Sequence, residues 1–264
     1  MNIFFLSLSA IILYLVATIL RIYQLGNISS KYLLLLLGGL AVILHALVLY
    51  LNLITPSGLN LGIFNAASLM SWMIVVLLLI SLPRQPVENL TTVLFPIAAL
   101  TLGLENFFHS EHILSLDTKF GVTLHILSSI IAYSLLSISA LQALFLAFQD
   151  YQLHHKHPGW VMKKLPPLQV METLLFQMIA LGFVLLSISL ISGTFFLEDI
   201  FSQHLVHKTV LSIVAWCVFA MLLWGHWHYG WRGKTAIRWS LSGFVVLMLG
   251  YFGSKLVLEL ILHR

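Results

Sequence analysis

The chain has 264 residues, of which 60% are hydrophobic and 8% are charged, and its mean hydropathy is +1.01. This composition excludes a soluble globular domain and indicates a polytopic membrane protein. The formal charge of +4 comes from basic residues without an interleaved aromatic stripe, which excludes nucleic acid as a partner.

A spanning helix needs roughly 20 mostly apolar residues. Eight segments of the chain meet this condition, at about 3–22, 32–53, 63–83, 89–106, 121–148, 173–196, 208–229 and 236–262. Runs this long and continuous are not barrel strands, so the predicted fold is all-α: a polytopic membrane helical bundle of about eight transmembrane helices. We expect a single transmembrane domain, residues 1–264, in which 1–106 form helices 1–4 and 107–264 form helices 5–8.

Local signals refine this outline. The segment 3–20 lacks the basic start and the cleavage site of a signal peptide, so we expect it to remain as the first span. Pro96 interrupts the fourth segment, and we expect it to kink that helix without ending it. The connection 107–120 is amphipathic and is predicted to lie flat on the outer surface. The connection 149–172 contains three prolines and is predicted to be a structured loop.

The distribution of basic residues sets the predicted orientation. Of the 13 Lys and Arg residues, nine fall in one set of loops and four in the opposite set and the C-terminal segment. The positive-inside rule therefore places the first set in the cytoplasm and both termini outside. The acidic residues, Glu105 among them, fall mainly on the outer side. We therefore expect the interior to lack the acidic groups that a proton-coupled carrier would use.

Histidines are the most informative polar residues, because His45, His125 and His226 sit inside otherwise apolar stretches. An ionisable side chain at membrane depth is costly and indicates a functional site, and imidazole is suited to hold haem iron. At about 1.5 Å per residue, His125, His207 and His263 lie near the outer ends of helices 5, 7 and 8. His45 lies roughly 12 Å below the outer end of helix 2, and His226 lies near the inner end of helix 7.

Two imidazoles on facing helices at similar depth can hold haem iron between them, with the apolar wall binding the porphyrin. His125 and His263 meet this condition, and His207 could replace His263. His45 and His226 are separated by roughly 15 Å along the membrane normal, which is too far to share one iron. For His45, His125 and His226 the alternative is a hydrogen-bonding role between helices.

Five of the seven tryptophans fall within 216–239. The later four are typical of an aromatic belt at the inner interface. Trp216 lies mid-span and is a candidate for stacking on a flat ligand, although it also fits ordinary packing.

Several segments, in order along the chain, resemble the CcsA/ResC/CcmC-type cytochrome c assembly family of membrane haem-handling proteins. They are LHILSSIIAYSLLSISALQALFLAFQ, LPPLQVMETLLFQMIALGFVLLSISLISGTFF, HKTVLSIVAWCVFAMLLWGHWHYGWRGKTA and MLGYFGSKLVLELILHR, with a looser likeness at HALVLYLNLITPSGLNLGIFNAASLMSW. The strongest piece is GWRG at 230–233. The resemblance covers most of residues 40–264 and is closest to the small YpjD-type inner-membrane members.

This resemblance implies a multi-pass haem-handling protein of the bacterial inner (cytoplasmic) membrane, with 107–264 as the assembly-like core. His125 matches the family's external histidine before the haem-binding loop, and His263 matches the one after the last helix. His226 is offset by about two positions from the membrane histidine of the helix ending in GWRG. The resemblance also implies haem b as a non-covalent cofactor and no enzymatic activity. The implied partners are the lipid bilayer, haem, and apocytochrome c or another membrane protein.

One departure from the family pattern favours an alternative function. The family's tryptophan-rich WGxxWxWD segment is replaced before helix 7 by LEDIFSQHLVHKTV, which contains no tryptophan. The alternative is a cofactor-free accessory or scaffold subunit that regulates a membrane partner. A transporter is a weaker hypothesis because paired broken helices and inverted halves are not seen. A membrane hydrolase lacks both HExxH and a nucleophile elbow.

Overall fold

The computed structural model describes residues 3–23, 28–56, 58–108, 113–114, 120–154, 165–196 and 203–253. This part of the chain forms eight α-helices and one π-helical turn. They are α1 (Ile3–Tyr23), α2 (Ile28–Leu53), α3 (Ile63–Ser81), α4 (Glu88–Phe107), α5 (Phe120–His154), α6 (Leu168–Phe196), α7 (Gln203–Tyr229), α8 (Gly233–Met248) and the π turn Leu249–Gly253. All eight are long and apolar enough to cross a membrane, α8 together with the π turn, which confirms the predicted membrane bundle.

The helices group into two compact units, which meet in sequence between residues 117 and 118. In the N-terminal unit, α1 packs on α2 and α4, and α3 packs on the same two helices. Its core contains Leu6, Ala10, Val48 and Leu102. α4 runs unbroken through Pro96, which confirms that this proline does not end the helix.

A small antiparallel sheet, which sequence reasoning missed, lies at one end of the N-terminal unit. Its strands are β1 (Ile54–Thr55), β2 (Gly58–Asn60) and β3 (Ile113–Leu114), in the order β1-β2-β3. β3 belongs to the connection predicted to lie flat on the surface, but it pairs with β2 instead. Residues 109–112 and 115–119 of that connection lie outside the described part of the chain. Strands of two or three residues are too short to produce a detectable alternation in sequence.

In the C-terminal unit, α5 packs on α6 and α8, and α7 packs on the same two helices, so the four form a ring of neighbours. Small residues permit close approach at the seams, as is usual between membrane helices. A Cβ atom on Gly182 of α6 would lie 2.9 Å from the Leu136 side chain of α5. A Cβ atom on Gly243 of α8 would lie 2.8 Å from the Phe219 ring of α7.

The connection predicted at 149–172 is shorter than expected, because α5 continues to His154 and α6 begins at Leu168. Residues 155–164 lie outside the described part of the chain. Polar residues lower the hydropathy at the end of α5 and at the start of α6, but they do not break either helix. Pro167 opens α6 through its carbonyl, which accepts the Val170 and Met171 amides at 2.9 and 3.2 Å. Proline suits this position, since the first turn of a helix has no use for its missing amide.

Candidate functional site

His125 lies in the second turn of α5 and is half-buried against α6. Its Nδ1 is 2.8 Å from the backbone oxygen of Ser189 and 3.4 Å from the Ser189 hydroxyl. The carbonyl can only accept, so Nδ1 carries the proton and donates it. In the neutral ring Nε2 keeps its lone pair, and no residue in the described part of the chain forms a hydrogen bond with it. This arrangement is the one that orients a histidine as a metal ligand.

One pair of serine hydroxyls reinforces the seam between α5 and α6 beside His125, and neighbouring serines bond within their own helices. Ser129 and Ser189 join the two helices through a hydroxyl pair at 2.6 Å. Ser128 donates to the Leu124 carbonyl at 2.7 Å, and Ser192 donates to the Ser189 carbonyl at 3.0 Å. Sequence reasoning missed this role of Ser189, although serines recur in both helices within the segments that resemble the family.

The partner expected for His125 cannot be placed. His263 lies outside the described residues. For His207, in α7, the structure describes the backbone and not the side chain. The His125–His263 pair, with His207 as its alternative, therefore stays a prediction. The π turn packs near the first turns of α7, since a Cβ atom on Gly250 would lie 3.1 Å from Leu211 Cβ.

His226 lies in the last turn of α7 and has the same kind of anchor. Its Nδ1 is 2.9 Å from the backbone oxygen of Trp231, and its ring stacks on Phe176 of α6 with centroids 3.5 Å apart. It lines a cavity of about 430 Å³ between α6 and α7. The polar lining of this cavity includes Gln169, Thr173 and Gln177. The site therefore combines an oriented imidazole with space for a ligand.

The GWRG motif forms the turn that positions His226. Gly230 and Gly233 have positive φ angles of 67° and 55°, which favour glycine. Arg232 donates from Nε and Nη2 to Glu172 Oε2 of α6, both at 2.8 Å, and Glu172 Oε1 accepts the Gly233 amide at the start of α8. The motif thus ties α6, α7 and α8 together and presents the Trp231 carbonyl to His226.

His45 belongs to the N-terminal unit and is fully buried. Its Nδ1 is 3.3 Å from the Tyr14 hydroxyl, and its Nε2 is 2.9 Å from Ser68 Oγ. Both ring nitrogens are therefore engaged in hydrogen bonds between helices.

Trp216 is half-buried between α7 and α6. Its indole nitrogen donates to Ser187 Oγ at 2.8 Å, and its ring stacks on Phe183 with centroids 5.3 Å apart. The geometry gives Trp216 a packing partner and a hydrogen-bond partner within the helix pair.

The expectation that the interior lacks acidic groups is wrong. Glu105 and Glu172 are each only 4% exposed. Glu172 is compensated by Arg232, and Glu105 accepts a hydrogen bond from Asn52 at 2.9 Å. Both lie near helix ends in sequence, where a carboxylate is usually solvated. Packing of neighbouring helices buries them, and hydropathy along one segment does not report that packing.

The fold and these sites define a polytopic membrane helix bundle whose C-terminal four-helix unit carries a carbonyl-anchored imidazole toward each end. The sequence model of one family, described as Cytochrome C assembly protein, matches residues 33–262, and the chain belongs to this family.

Individual relatives agree with this assignment. The chain is 38% identical to inner membrane protein YpjD of Escherichia coli K12 over 224 residues, which cover 84% of this chain and 85% of that protein. It is 28% identical to cytochrome c biogenesis protein CcsA of Gloeothece citriformis over 102 residues, 38% of this chain and 31% of that protein. No solved structure matches the chain significantly. The predicted family and its small YpjD-type members are thereby confirmed as the relatives of this chain.

Proposed function

We propose that this chain is an inner-membrane haem-handling protein that holds haem b non-covalently through His125. The observation that carries the proposal is the His125 ring, whose Nδ1 donates to the Ser189 carbonyl at 2.8 Å. A backbone acceptor on one nitrogen fixes the tautomer and leaves the other nitrogen as a ligand. Imidazole nitrogen is an established axial ligand of haem iron.

Aromatic side chains of the same unit support the proposal, because apolar rings can pack against a porphyrin. Two turns beyond His125 on α5, Tyr133 forms an aromatic cluster with side chains of α8 and the π turn. Its ring centroids lie 5.9 Å from Phe244, 6.1 Å from Tyr251 and 5.7 Å from Phe252. We propose His263, or His207 in its place, as the second ligand. Bound haem would supply an iron porphyrin that an acceptor, apocytochrome c or another membrane protein, could receive.

We assign His226 to a separate position in the same unit. His226 stacks on Phe176 and His125 bonds Ser189, and these two α6 residues are 13 positions apart. At the helical rise this is roughly 20 Å, which is too far for one iron. The cavity beside His226 would receive a ligand of its own, at the inner end of the C-terminal unit. We assign no ligand role to His45, whose ring nitrogens are both hydrogen-bonded, or to Trp216.

A reconstitution experiment tests the His125 site. The purified full chain is mixed with haemin in detergent, and the visible spectrum is recorded. We expect a Soret band whose apparent affinity falls on the order of tenfold or more in His125→Ala. Adding imidazole to His125→Gly should restore the band. Ser189→Ala is the matched control and should bind nearly as the parent does, because the anchor is the backbone carbonyl.

The same spectra identify the second ligand. His207→Ala and His263→Ala are compared with His125→Ala, and the second ligand is the one whose loss changes the low-spin spectrum in the same way. A parent chain that shows no Soret band, or a band that His125→Ala leaves unchanged, would contradict the proposal.

The alternative is a cofactor-free scaffold subunit, and the tryptophan-free sequence LEDIFSQHLVHKTV before α7 favours it. It predicts no Soret band in the parent. It also predicts that the same membrane partner co-purifies with the parent and with His125→Ala. Haem binding that depends on His125 would exclude it.

A further inference from the structure

The cavity beside His226 has a polar end and an apolar end. Ala180 of α6 and Leu223 of α7 line it toward the middle of the two spans. Its volume of about 430 Å³ is within the range of small-molecule sites. This division fits an amphiphile, whose head group binds at the helix ends and whose chains run along the span. The polar lining near the start of α6 and just beyond the end of α7 consists of Gln169, Glu172, Thr173, His226 and Arg232.

A line of exposed polar side chains along α6 forms one wall of this cavity. Gln169, Thr173 and Gln177 are four residues apart, which places them on one face of the helix, and all three are exposed. Gln177 lies nine residues into this membrane-spanning helix, roughly 14 Å from its start. Neither glutamine side chain has a hydrogen-bond partner among the described residues. Because an amide left bare to hydrocarbon is costly, a polar ligand on this face would stabilise both groups.

The charges that line the cavity cancel. Glu172 and Arg232 are the two charged residues of the lining, and Arg232 donates from Nε and Nη2 to Glu172 Oε2, both at 2.8 Å. Arg232 keeps Nη1 as a further donor, and its side chain is half-exposed. Pockets with unpaired basic residues between transmembrane helices bind anionic head groups. Here the one cation is already paired, so the lining is complementary to a ligand that carries both charges.

The lining also offers acceptors for a donor on the ligand. His226 Nδ1 is 2.9 Å from the Trp231 carbonyl and donates to it, so in the neutral ring Nε2 is an acceptor. The side-chain oxygens of Gln169 and Gln177 are further acceptors. A primary ammonium group has three N–H donors and matches this set, whereas a methylated quaternary ammonium has none.

We propose that this cavity binds the head group of phosphatidylethanolamine, a zwitterionic phospholipid with a primary ammonium group, taken from the surrounding membrane. The phosphate accepts from Arg232 Nη1 and the glutamine amides, and the ammonium group donates to His226 Nε2 and the glutamine oxygens. The acyl chains leave the cavity past Ala180. The proposal names the ligand for the position assigned to His226 above and rests on that assignment, but it does not depend on haem at His125.

Native mass spectrometry of the delipidated full chain tests the ligand. The protein in detergent is titrated with phosphatidylethanolamine, phosphatidylcholine or phosphatidylglycerol carrying the same acyl chains, and we expect phosphatidylethanolamine to bind most tightly. The double variant Gln169→Leu/Gln177→Leu should bind it on the order of tenfold more weakly, because two amide hydrogen bonds are lost. Gln152→Leu, near the end of α5, is the matched control and should bind as the parent does. Equal binding of the three lipids, a preference for phosphatidylglycerol, or an unchanged double variant would overturn the proposal.

Nitrogen-15 NMR of the histidine-labelled parent tests the ammonium contact without any variant. Adding phosphatidylethanolamine should shift the His226 Nε2 resonance, whereas phosphatidylcholine, which has no N–H donor, should not. His45 is the internal control, because both of its ring nitrogens are already hydrogen-bonded within the N-terminal unit. A His226 resonance that responds to neither lipid, or to both alike, would overturn the proposal.

Haem binding is separated from lipid binding by two comparisons. His125→Ala should retain phosphatidylethanolamine as the parent does, and a parent that retains this lipid without a Soret band would support the lipid site while contradicting the proposed function. Haemin that displaces the lipid, and whose binding is lost in His226→Phe, would assign the cavity to haem and overturn the lipid proposal.

Discussion

His125 and His226 have different neighbours but the same local arrangement. In each ring Nδ1 meets a backbone carbonyl, that of Ser189 for His125 and that of Trp231 for His226. A carbonyl has no proton to give, so in each ring Nδ1 carries a proton and donates it. The other nitrogen of each ring, Nε2, is the one through which the ring would bind a ligand.

This tautomer is directly measurable. In nitrogen-15 NMR of the ligand-free chain at neutral pH, we expect His125 and His226 to show a protonated Nδ1 and an unprotonated Nε2. His228 is the internal control, because its exposed ring stacks on Trp224 and is free to exchange tautomers. A protonated Nε2 in both anchored rings would contradict the assignment.

Glu172 is the buried residue on which the GWRG turn depends. Glu172→Gln removes the charge that faces Arg232, whose side chain is half-exposed, so solvent offsets part of the loss. We expect destabilisation of about 1–2 kcal/mol, a fall of several degrees in Tm. Combination with Arg232→Gln should cost less than the sum of the two changes.

The Lys31–Glu88 pair provides the comparison for this prediction. Its partners are 3.3 Å apart and both remain partly exposed. Glu88→Gln should therefore cost about 0.5 kcal/mol or less. If Glu88→Gln and Glu172→Gln lower the stability equally in thermal unfolding, the larger contribution expected of the Glu172–Arg232 pair is contradicted.

At the scale of elements, the junction of α7 and α8 depends on Gly225 as well as on the two glycines of the turn, Gly230 and Gly233. The Trp231 indole lies directly against Gly225 of α7, where a Cβ atom would overlap the ring. The Trp231 amide also donates to the Gly225 carbonyl at 3.2 Å. The bulky turn residue thus fits against the helix only because this position lacks a side chain.

Gly225→Ala should destabilise the chain even though alanine favours helices. The overlap with Trp231 is expected to cost about 1–3 kcal/mol, more than the roughly 1 kcal/mol gained in helix propensity. It should also displace the Trp231 carbonyl and disturb the His226 resonance. Gly39→Ala is the matched control, because a Cβ atom there meets nothing within 4 Å. Thermal unfolding in which both changes act alike would contradict this account.

At the scale of the molecule, aromatic and basic residues mark the end of α7 and the start of α8. Trp224 stacks on His228 with centroids 5.6 Å apart, and Trp231 stacks on Trp239 at the same distance. Arg232 opens α8 beside them. Amphipathic rings and basic side chains together are typical of a cytoplasmic membrane interface, so this end is expected to face inside.

Reporter fusions test this orientation. A fluorescent protein inserted in the connection 82–87 should fluoresce, and alkaline phosphatase fused after residue 264 should be active. The expectation follows from the positive-inside rule, because nine of the chain's 13 Lys and Arg residues fall in loops on one side. The reciprocal fusions are the controls, and the opposite pattern of activity would reverse the predicted topology.

The sequence by itself determined the eight spans and the family. Span length and hydropathy are properties of contiguous residues, so the described helix ends could be placed to within about five positions except at the 149–172 connection. The predicted end of the eighth span, at 262, lies outside the described residues. His125 and His226 could be singled out for the same reason, as polar residues in apolar runs.

Only the tertiary structure decided what those residues contact. The His125–Ser189 and Glu172–Arg232 bonds join positions 64 and 60 residues apart, and Glu105 meets Asn52 across 53. No local periodicity encodes such pairs, because which helices become neighbours depends on packing across the whole unit. The burial of Glu105 and the carbonyl bond that orients the His125 ring are consequences of that packing.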